Sequence, residues 1–215
     1  MPHTTATRLP EKMSSDRDAL DELLRDGAVG HVAFVDDDGA PVVIPTAVVL
    51  DADRLLLHGS TGSRWMRRLA SGVPVSVAVT AVDGVVVART AFESSLHYRS
   101  AVFFGHCRPA PEATREADLA LITDRLVPGR VAEVRASTRR ELAATAVLEL
   151  TIDHWSLRIS AGPPTDEPAD VAGSAWAGTL AVERRYASPV PAPDLRPGVE
   201  VPASVRAMVA DRVRV

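Results

Sequence analysis

Short valine-rich runs joined by tight-turn residues constrain this chain most strongly, because they fit a small antiparallel β structure better than any helical one. The runs AVGHVAFV, PVVIPTAVVL and RLLLHG follow one another between residues 28 and 59. They are joined by DDDGA and DADR, whose aspartate and glycine residues favour short turns. Three strands linked so closely predict an antiparallel meander.

Later runs extend this prediction to a barrel. PVSVAVTAV and HYRSAVFFGHCRP supply two further strands, separated by an irregular segment from Asp83 to His97. TAVLELTIDHWSLRIS, residues 145–160, alternates like a strand, and WAGTLAVE supplies a last short one. We therefore predict a mainly β fold, in which an antiparallel barrel has a buried interior and carries peripheral helices.

Three segments have helical periodicity instead. SSDRDALDELLRDG places leucines at helical spacing, with Ser15 as the candidate N-cap and Gly27 at the C-terminal end. The segment near residues 63–71 and the segment 111–126 predict two more helices. The first helix is expected to cover one face of the strands that follow it.

The two ends of the chain differ from its β-rich middle. Residues 1–14 are polar and lack a hydrophobic period, so we expect a mobile N-terminal arm. Residues 187–215 are rich in proline, which predicts an extended strap along the surface or across a subunit boundary. The barrel domain with its helices is expected to occupy residues 15–186 between them.

Composition and charge exclude several classes of function. The net charge of −4 over 215 residues gives neither a nucleic-acid nor an anionic-membrane footprint. Cys107 is the only cysteine, so neither a disulfide framework nor a cysteine zinc site is possible. The histidines are scattered, and no metal site is predicted. No apolar run is long enough for a bilayer or a signal peptide, so we expect a cytoplasmic protein.

The segment LLLHGSTGSRWMRRL, residues 55–69, is the main candidate binding site. A strand ends at His58, small residues follow from Gly59 to Ser63, and a basic helix begins near Arg64. Amides and hydroxyls in such a turn suit phosphate oxygens, and Arg64 would add a charged contact. The same residues also fit an ordinary strand–turn–helix connection with a solvated basic face. A P-loop is excluded, because no lysine follows a glycine at the required spacing.

A second polar cluster lies in SSLHYRS, residues 94–100, where His97, Tyr98 and Arg99 precede a Val/Phe strand. Such a cluster is either a pocket rim or a capped turn. Trp176 stands among small residues, where it either packs or offers a flat apolar surface to an aromatic ligand. A single histidine such as His58 is more often a structural residue than a catalytic one.

Taken in order, these motifs resemble the FMN-binding split-barrel superfamily, in particular its pyridoxamine 5′-phosphate oxidase-like branch, which includes nitroimidazole-resistance proteins. The resemblance runs from about Gly27 to Leu180. The matching pieces are DGAVGHVAFVDDDGAPVVIPT, LLLHGSTGSR, GVPVSVAVTAVDGVVVART, HYRSAVFFG, LVPGR, ELAATAVLEL and WAGTL.

The resemblance implies a two-fold homodimer of split barrels that binds FMN at the subunit interface. It places Thr46 and its neighbours beside the flavin ring and assigns the phosphate to the segment after His58. Proton donation to the substrate is assigned to His58, His97 or Tyr98. The implied cofactor-binding residues are Ile44, Thr46, His58, Gly59, Ser60, Ser63, Arg64, Arg99, Ser100 and Trp176.

The implied function is a flavin-dependent oxidoreductase that passes electrons from a reduced nicotinamide or a deazaflavin to a small organic molecule. The chain departs from the family pattern at His97 (commonly Asn), at Ser94 (commonly His) and at Ser160 (commonly a basic residue). These departures bear on which cofactor the chain binds more than on which fold it adopts. A haem-binding split barrel with a histidine axial ligand, His58 or His97, is therefore the alternative, and a non-catalytic ligand-binding or regulatory module is a third hypothesis.

Overall fold

Two antiparallel β-sheets enclose the core. Successive side chains of a strand point to opposite faces, and those on the inner face form the core. The structure is a computed structural model and describes residues 9–27 and 29–210. The larger sheet has the order β1-β10-β7-β6-β2-β3, with β11 beside the distal part of β6, and the smaller has the order β4-β5-β9-β8. The strands are β1 (Met13–Ser14), β2 (Val29–Val35), β3 (Pro41–Ala47), β4 (Val49–Asp51), β5 (Arg54–Ser60), β6 (Pro74–Val87), β7 (Ser95–His106), β8 (Arg108–Pro109), β9 (Thr145–Thr151), β10 (His154–Ser160) and β11 (Gly178–Ala181).

The helices lie around the sheets and confirm the expected mainly β fold with peripheral helices. No helix in the described part of the chain is long and apolar enough to cross a membrane. The helices are α1 (Arg17–Asp26), α2 (Arg64–Ala70), α3 (Arg115–Leu126), α4 (Arg139–Ala144), α5 (Pro168–Val171) and α6 (Ala203–Ala210), with 3-10 turns at Pro10–Lys12 and Val131–Glu133.

Helix α1 forms where the leucine spacing predicts it, and it closes the main core. Leu20, Leu23 and Leu24 are buried against residues of both sheets. The N-cap is Asp16 and not Ser15, because the Asp16 carboxylate accepts the Asp18 amide hydrogen at 2.9 Å. A second, smaller core lies between the smaller sheet and α3.

Two of the predicted strands are each divided between the two sheets. PVVIPTAVVL forms β3 in the larger sheet and β4 in the smaller one, with the corner at Val48. The Val48 side chain packs where a Cβ on Gly30 would lie, so the corner requires glycine opposite it. The segment of residues 145–160 likewise divides into β9 and β10. At each corner the β-type residues continue without a Gly or Pro break, which is why the pattern alone predicts one strand.

The segment predicted to be irregular between Asp83 and His97 is mostly strand. Strand β6 continues to Val87 and pairs with β7, with a bulge at Asp83. Gly84 is needed there, because the Leu180 carbonyl oxygen of β11 lies 2.7 Å from the position that a Cβ would occupy. Only residues 88–94 form the loop between β6 and β7.

The ends of the chain are more ordered than the sequence suggests. Residues 9–14 of the predicted mobile arm form a 3-10 turn and β1, which pairs with β10; residues 1–8 lie outside the described part. Within the predicted strap, residues 203–210 form α6. Glu133 receives the Ser204 amide at 2.9 Å and the Ser204 hydroxyl at 2.5 Å, which caps the start of α6 and fixes it to the body of the protein. The remainder of the described strap is exposed and largely without regular structure.

Candidate functional site

The segment from His58 to Arg64 adopts the strand–turn–helix form that the sequence predicts. Strand β5 ends at Ser60, and α2 begins at Arg64 after an N-cap at Ser63. Gly59 is closely approached by Met66 of α2, because a Cβ there would meet Met66 Cγ at 2.9 Å. The absence of a side chain at Gly59 therefore lets α2 pack tightly against the end of β5.

The backbone amides of this turn are already hydrogen-bonded within the protein. The Gly62 amide donates to the Ser60 hydroxyl at 3.2 Å, and the Ser63 amide to the Ser60 carbonyl at 3.0 Å. The Thr61 amide donates to the Ala144 carbonyl at 3.0 Å. Anion binding by these three amides, which the sequence suggested, would cost existing hydrogen bonds. Hydroxyl and guanidinium groups are further donors for a phosphate at this turn.

Arg64 is the exposed cation of this segment. Its side chain is 68% exposed, and Nη2 lies 2.7 Å from the Asp36 carboxylate in the β2–β3 turn. The guanidinium end of this pair lies largely in water, whereas the Asp36 side chain is only 17% exposed. A ligand phosphate that displaces Asp36 from Arg64 leaves the carboxylate with the Asp37 amide hydrogen that it already accepts at 2.9 Å. Arg64 therefore has the freedom that a phosphate contact requires.

His58 carries an unsatisfied polar atom. Its side chain is half-buried on β5 opposite Val147, and among the described residues nothing forms a hydrogen bond with its buried Nδ1. Burial lowers the pKa of this imidazole. The ring is therefore neutral at physiological pH, and its unpartnered nitrogen is available to a ligand or a water molecule.

Arg99 is held by two carboxylates in the interior. Its side chain is 11% exposed, Nε donates to Asp83 at 3.0 Å, and Nη2 lies 2.8 Å from both Asp26 and Asp83. These contacts link β7, the β6 bulge and the end of α1. The cofactor contact predicted for Arg99 would have to come from its remaining nitrogen, Nη1.

The other residues of the SSLHYRS cluster have two kinds of role: Ser94 closes a loop, whereas His97 and Tyr98 lie in the sheet. The Ser94 hydroxyl donates to the Thr90 carbonyl at 2.8 Å and accepts the Ala88 amide hydrogen at 3.1 Å, so it closes the β6–β7 loop. His97 lies opposite Gly84, beyond the bulge. Tyr98 is half-buried, and Arg158 of β10 lies over its ring, with Cζ 6.0 Å from the centroid.

Two neighbouring positions complete this cluster. Ser100 pairs with both Thr80 and Arg158 in the larger sheet. Ser160, which stands where a basic residue is common in the family, is buried and donates its hydroxyl to the Leu96 carbonyl at 3.2 Å. A charged side chain at position 160 would therefore have to displace this bond and leave the interior.

Ile44, Thr46 and Trp176 lie on the larger sheet. The Ile44 side chain is partly buried against the core. Thr46 lies opposite Gly30 on β3, which is the edge strand of the sheet and contacts β5. Trp176 is 66% exposed just before β11, and its ring lies against Gly178, where a Cβ would be 2.7 Å from Cη2. The predicted residues thus belong to two different sheets, and a single described protomer does not gather them in one cavity.

A cavity that the sequence did not predict lies on the outer face of the larger sheet. Its volume is about 690 Å³, and most of its lining is apolar. Two imidazoles, His106 and His154, lie at its margin. The remaining lining residues are Ala33, Phe34, Val35, Pro41, Val42, Val43, Pro74, Val75, Ser76, Phe104 and Gly105.

A second cavity, of about 450 Å³, is charged and is lined by Arg25, Asp26, Tyr186 and the segment 183–185. None of the predicted cofactor residues lines the apolar or the charged cavity.

Cys107 is buried, and burial raises the pKa of its thiol to about 12, so the thiol is unreactive at neutral pH.

Comparison with known families and structures identifies the fold. Residues 16–159 match the family described as pyridoxamine 5′-phosphate oxidase. The chain belongs to the pyridoxamine 5′-phosphate oxidase family. This membership confirms the resemblance carried by the ordered motifs and the split-barrel fold expected from it. Among curated proteins the comparison found no match.

Three solved structures show the range of similarity within this fold. The FAD- and haem-binding protein of Mycobacterium smegmatis is 48% identical, with a TM-score of 0.89 over 92% of this chain and 97% of that one. The flavocytochrome Anf3 of Azotobacter vinelandii is 28% identical, with a TM-score of 0.89 over 97% of each chain. A candidate 5-nitroimidazole antibiotic resistance protein of Bacteroides thetaiotaomicron is 14% identical, with a TM-score of 0.56 over 68% of this chain and 86% of that one, and shows the fold alone.

Proposed function

We propose that this member of the pyridoxamine 5′-phosphate oxidase family is an oxidoreductase that binds both a flavin nucleotide and haem. The observation that carries the proposal is the 48% identity to an FAD- and haem-binding protein over 92% of this chain and 97% of the other. Flavin and haem, which the sequence offers as alternatives, occur together in that relative. The described residues include a candidate site for each.

The flavin fits the end of β5 and the facing edge of β3. His58 offers a buried nitrogen that has no hydrogen-bond partner among the described residues, and Arg64 offers a largely exposed guanidinium paired with Asp36. Hydroxyl groups of Ser60 and Ser63 stand between them. Together these groups supply donors for a phosphate and one contact for the ring system, and the backbone of β3 near Thr46 supplies a flat edge.

Bound flavin would accept a hydride or an electron pair and release electrons singly. The role of this chain is to bind, orient and shield that group. Neutral His58 can donate or accept one hydrogen bond without adding charge, whereas Arg64 balances the phosphate. His97 and Tyr98 stay candidates for delivering a proton to a small organic substrate.

A second copy of the chain is part of the proposal. The turn residues Ser60 and Thr61 and the Arg64 side chain are exposed in the protomer, so the described residues of one chain do not shield a flavin bound there from water. A two-fold homodimer would cover that site and bring residues of the larger sheet of the partner close to it. A reduced nicotinamide or a deazaflavin is the proposed electron donor, in the cytoplasm.

Reconstitution tests this function against the rival hypothesis of a non-catalytic binding module. The purified protein is titrated separately with FAD, FMN and haemin, and the loaded protein is mixed without oxygen with NADH, NADPH or a reduced deazaflavin. We expect saturable binding of one flavin and of haemin, followed by bleaching of the flavin band and reduction of the haem. Binding without reduction by any donor would favour the regulatory module, and failure of either cofactor to bind would overturn the proposal.

A further inference from the structure

We infer that the apolar cavity on the outer face of the larger sheet is the haem site, and that the iron is ligated from the pair of imidazoles at its margin, His106 and His154. This inference rests on the proposed haem binding. It differs from the sequence-based alternative, which placed the axial ligand at His58 or His97.

The register of the strands shows how the cavity is built. On the outer face, His154, Phe104, Ser76, Ala33 and Val43 form one row across β10, β7, β6, β2 and β3. The small residues Ala33 and Ser76 stand at the centre of this row, and the larger Phe104 and Val43 stand on either side. The row therefore forms a shallow trough, with a low floor between two apolar walls.

The size and lining of this trough suit a large planar apolar ligand. Its volume of about 690 Å³ lies within the range of small-molecule and cofactor sites. Apolar walls would contact the porphyrin ring, while the open side of the trough leaves its carboxylates in water. Contiguous apolar surface on a soluble protein commonly marks a binding site, and this lining is mostly apolar.

The two imidazoles are placed together by the sheet. His154 lies directly opposite Phe104, and His106 follows Phe104 by two residues on the same face of β7. Diagonal neighbours on an antiparallel pair have Cβ atoms about 7–8 Å apart, within reach of long side chains. Both imidazoles therefore approach the same side of the trough, where one ligates the iron and the other lies beside the ring.

The other described histidines are placed less favourably. His58 lies on the smaller sheet, and His97 lies opposite Gly84 beyond the bulge that β11 covers. His31 is on the same outer face as the trough, on β2 two residues from Ala33, yet it does not line the cavity. His31 is exposed, as are His106 and His154, and this makes it a matched control.

The experiment compares haem binding by the full-length wild type, His106→Ala, His154→Ala, the double variant and the control His31→Ala. Each protein is loaded with haemin and desalted, and its absorbance and electron paramagnetic resonance spectra are recorded. We expect one single variant and the double variant to lose the imidazole-ligated spectrum, and the haem affinity of the double variant to fall by about tenfold or more. His31→Ala should match the wild type, and all variants should keep their Tm and flavin content.

A second measurement separates the cavity from the iron ligand. Metal-free protoporphyrin needs the trough but no imidazole, so its binding, followed by fluorescence, should survive in the double variant. It should be lost in Ser76→Trp, where a large side chain fills the floor. An unchanged haem spectrum in the double variant, or its loss in His58→Ala or His97→Ala, would overturn this inference and leave the proposed function intact. A wild type that binds no haem would overturn both.

Discussion

Arg54 and Asp118 form an ion pair beneath α3, with Nη2 of the arginine 2.7 Å from Oδ1 of the aspartate, whose side chain is only 4% exposed. The second carboxylate oxygen of Asp118 accepts the Thr114 hydroxyl at 2.8 Å. Arg54 also contacts Asp51 and Glu149 at 2.8 Å and 2.7 Å. One guanidinium thus connects α3 to β4, β5 and β9, and the Asp118 charge depends on it.

Replacement of Arg54 should therefore destabilise the protein strongly. Arg54→Met leaves the buried Asp118 carboxylate without its cation, which should lower the free energy of unfolding by about 3–5 kcal/mol. The control is Arg17→Met, which breaks more exposed pairs with Asp21 and Asp53 and should cost about 1 kcal/mol or less. Urea unfolding measures both values. Equal losses in the two variants would contradict the assignment.

Arg99 should stabilise the folded protein even when no cofactor is bound. Arg99→Met leaves Asp26 and Asp83 facing each other in a largely buried place. We expect the cofactor-free variant to lose about 3 kcal/mol of stability, since two carboxylates lose their only shared cation among the described residues. Thermal unfolding of the flavin-free protein checks this. A normal Tm combined with weaker flavin binding would show instead that Arg99 serves the cofactor alone.

Arg64 should affect flavin binding more than stability, because its own side chain is largely exposed where it pairs with Asp36. Arg64→Ala should lower the Tm only slightly and weaken flavin affinity by about tenfold, which corresponds to one charged hydrogen bond of about 1.4 kcal/mol. Arg140→Ala, on the exposed surface of α4, is the control for the loss of one positive charge. Fluorescence titration with flavin measures the difference. Similar affinities for Arg64→Ala and Arg140→Ala would exclude Arg64 from the phosphate site.

The start of α4 should weaken in acid. Arg135 donates to the Glu141 carboxylate, and Thr138 donates to it in a capping box, and together they lower the pKa of Glu141 from about 4.5 to about 2. Because the folded-state pKa is depressed, this contribution is complete above the unfolded value and is lost as the pH falls towards the folded value. The stability difference between wild type and Glu141→Gln should therefore shrink between pH 4.5 and pH 2. A difference independent of pH over that interval would contradict this origin.

The sequence predicts the individual strands well, because short β runs separated by Asp and Gly turns fit few structures other than antiparallel strands. It does not reveal where a strand passes from one sheet to the other. The apolar run through Val48 is continuous, and the corner at Val48 becomes visible only through the contact with Gly30. Similarly, the sequence predicts an irregular segment from Asp83 to His97, whereas the structure has a bulge at Asp83 within a long strand.

The candidate site is predictable only in part. The segment from His58 to Arg64 is contiguous, so its residue types and the family resemblance both point to it. The trough on the larger sheet is assembled from Ala33, Val43, Ser76 and Phe104 with His154, which come from five separate strands. Within its own strand, none of these residues has a feature that predicts a binding site. Only the register of the sheet, which depends on the whole fold, brings them into one row.

The absorbance spectrum of the protein as purified, after extensive dialysis, decides whether flavin and haem bind to the same chain. We predict a flavin band together with a haem Soret band, each in a fixed ratio to protein that survives dialysis. A protein that lacks one of these bands, and that also fails to take up the missing cofactor when it is added, would contradict joint binding.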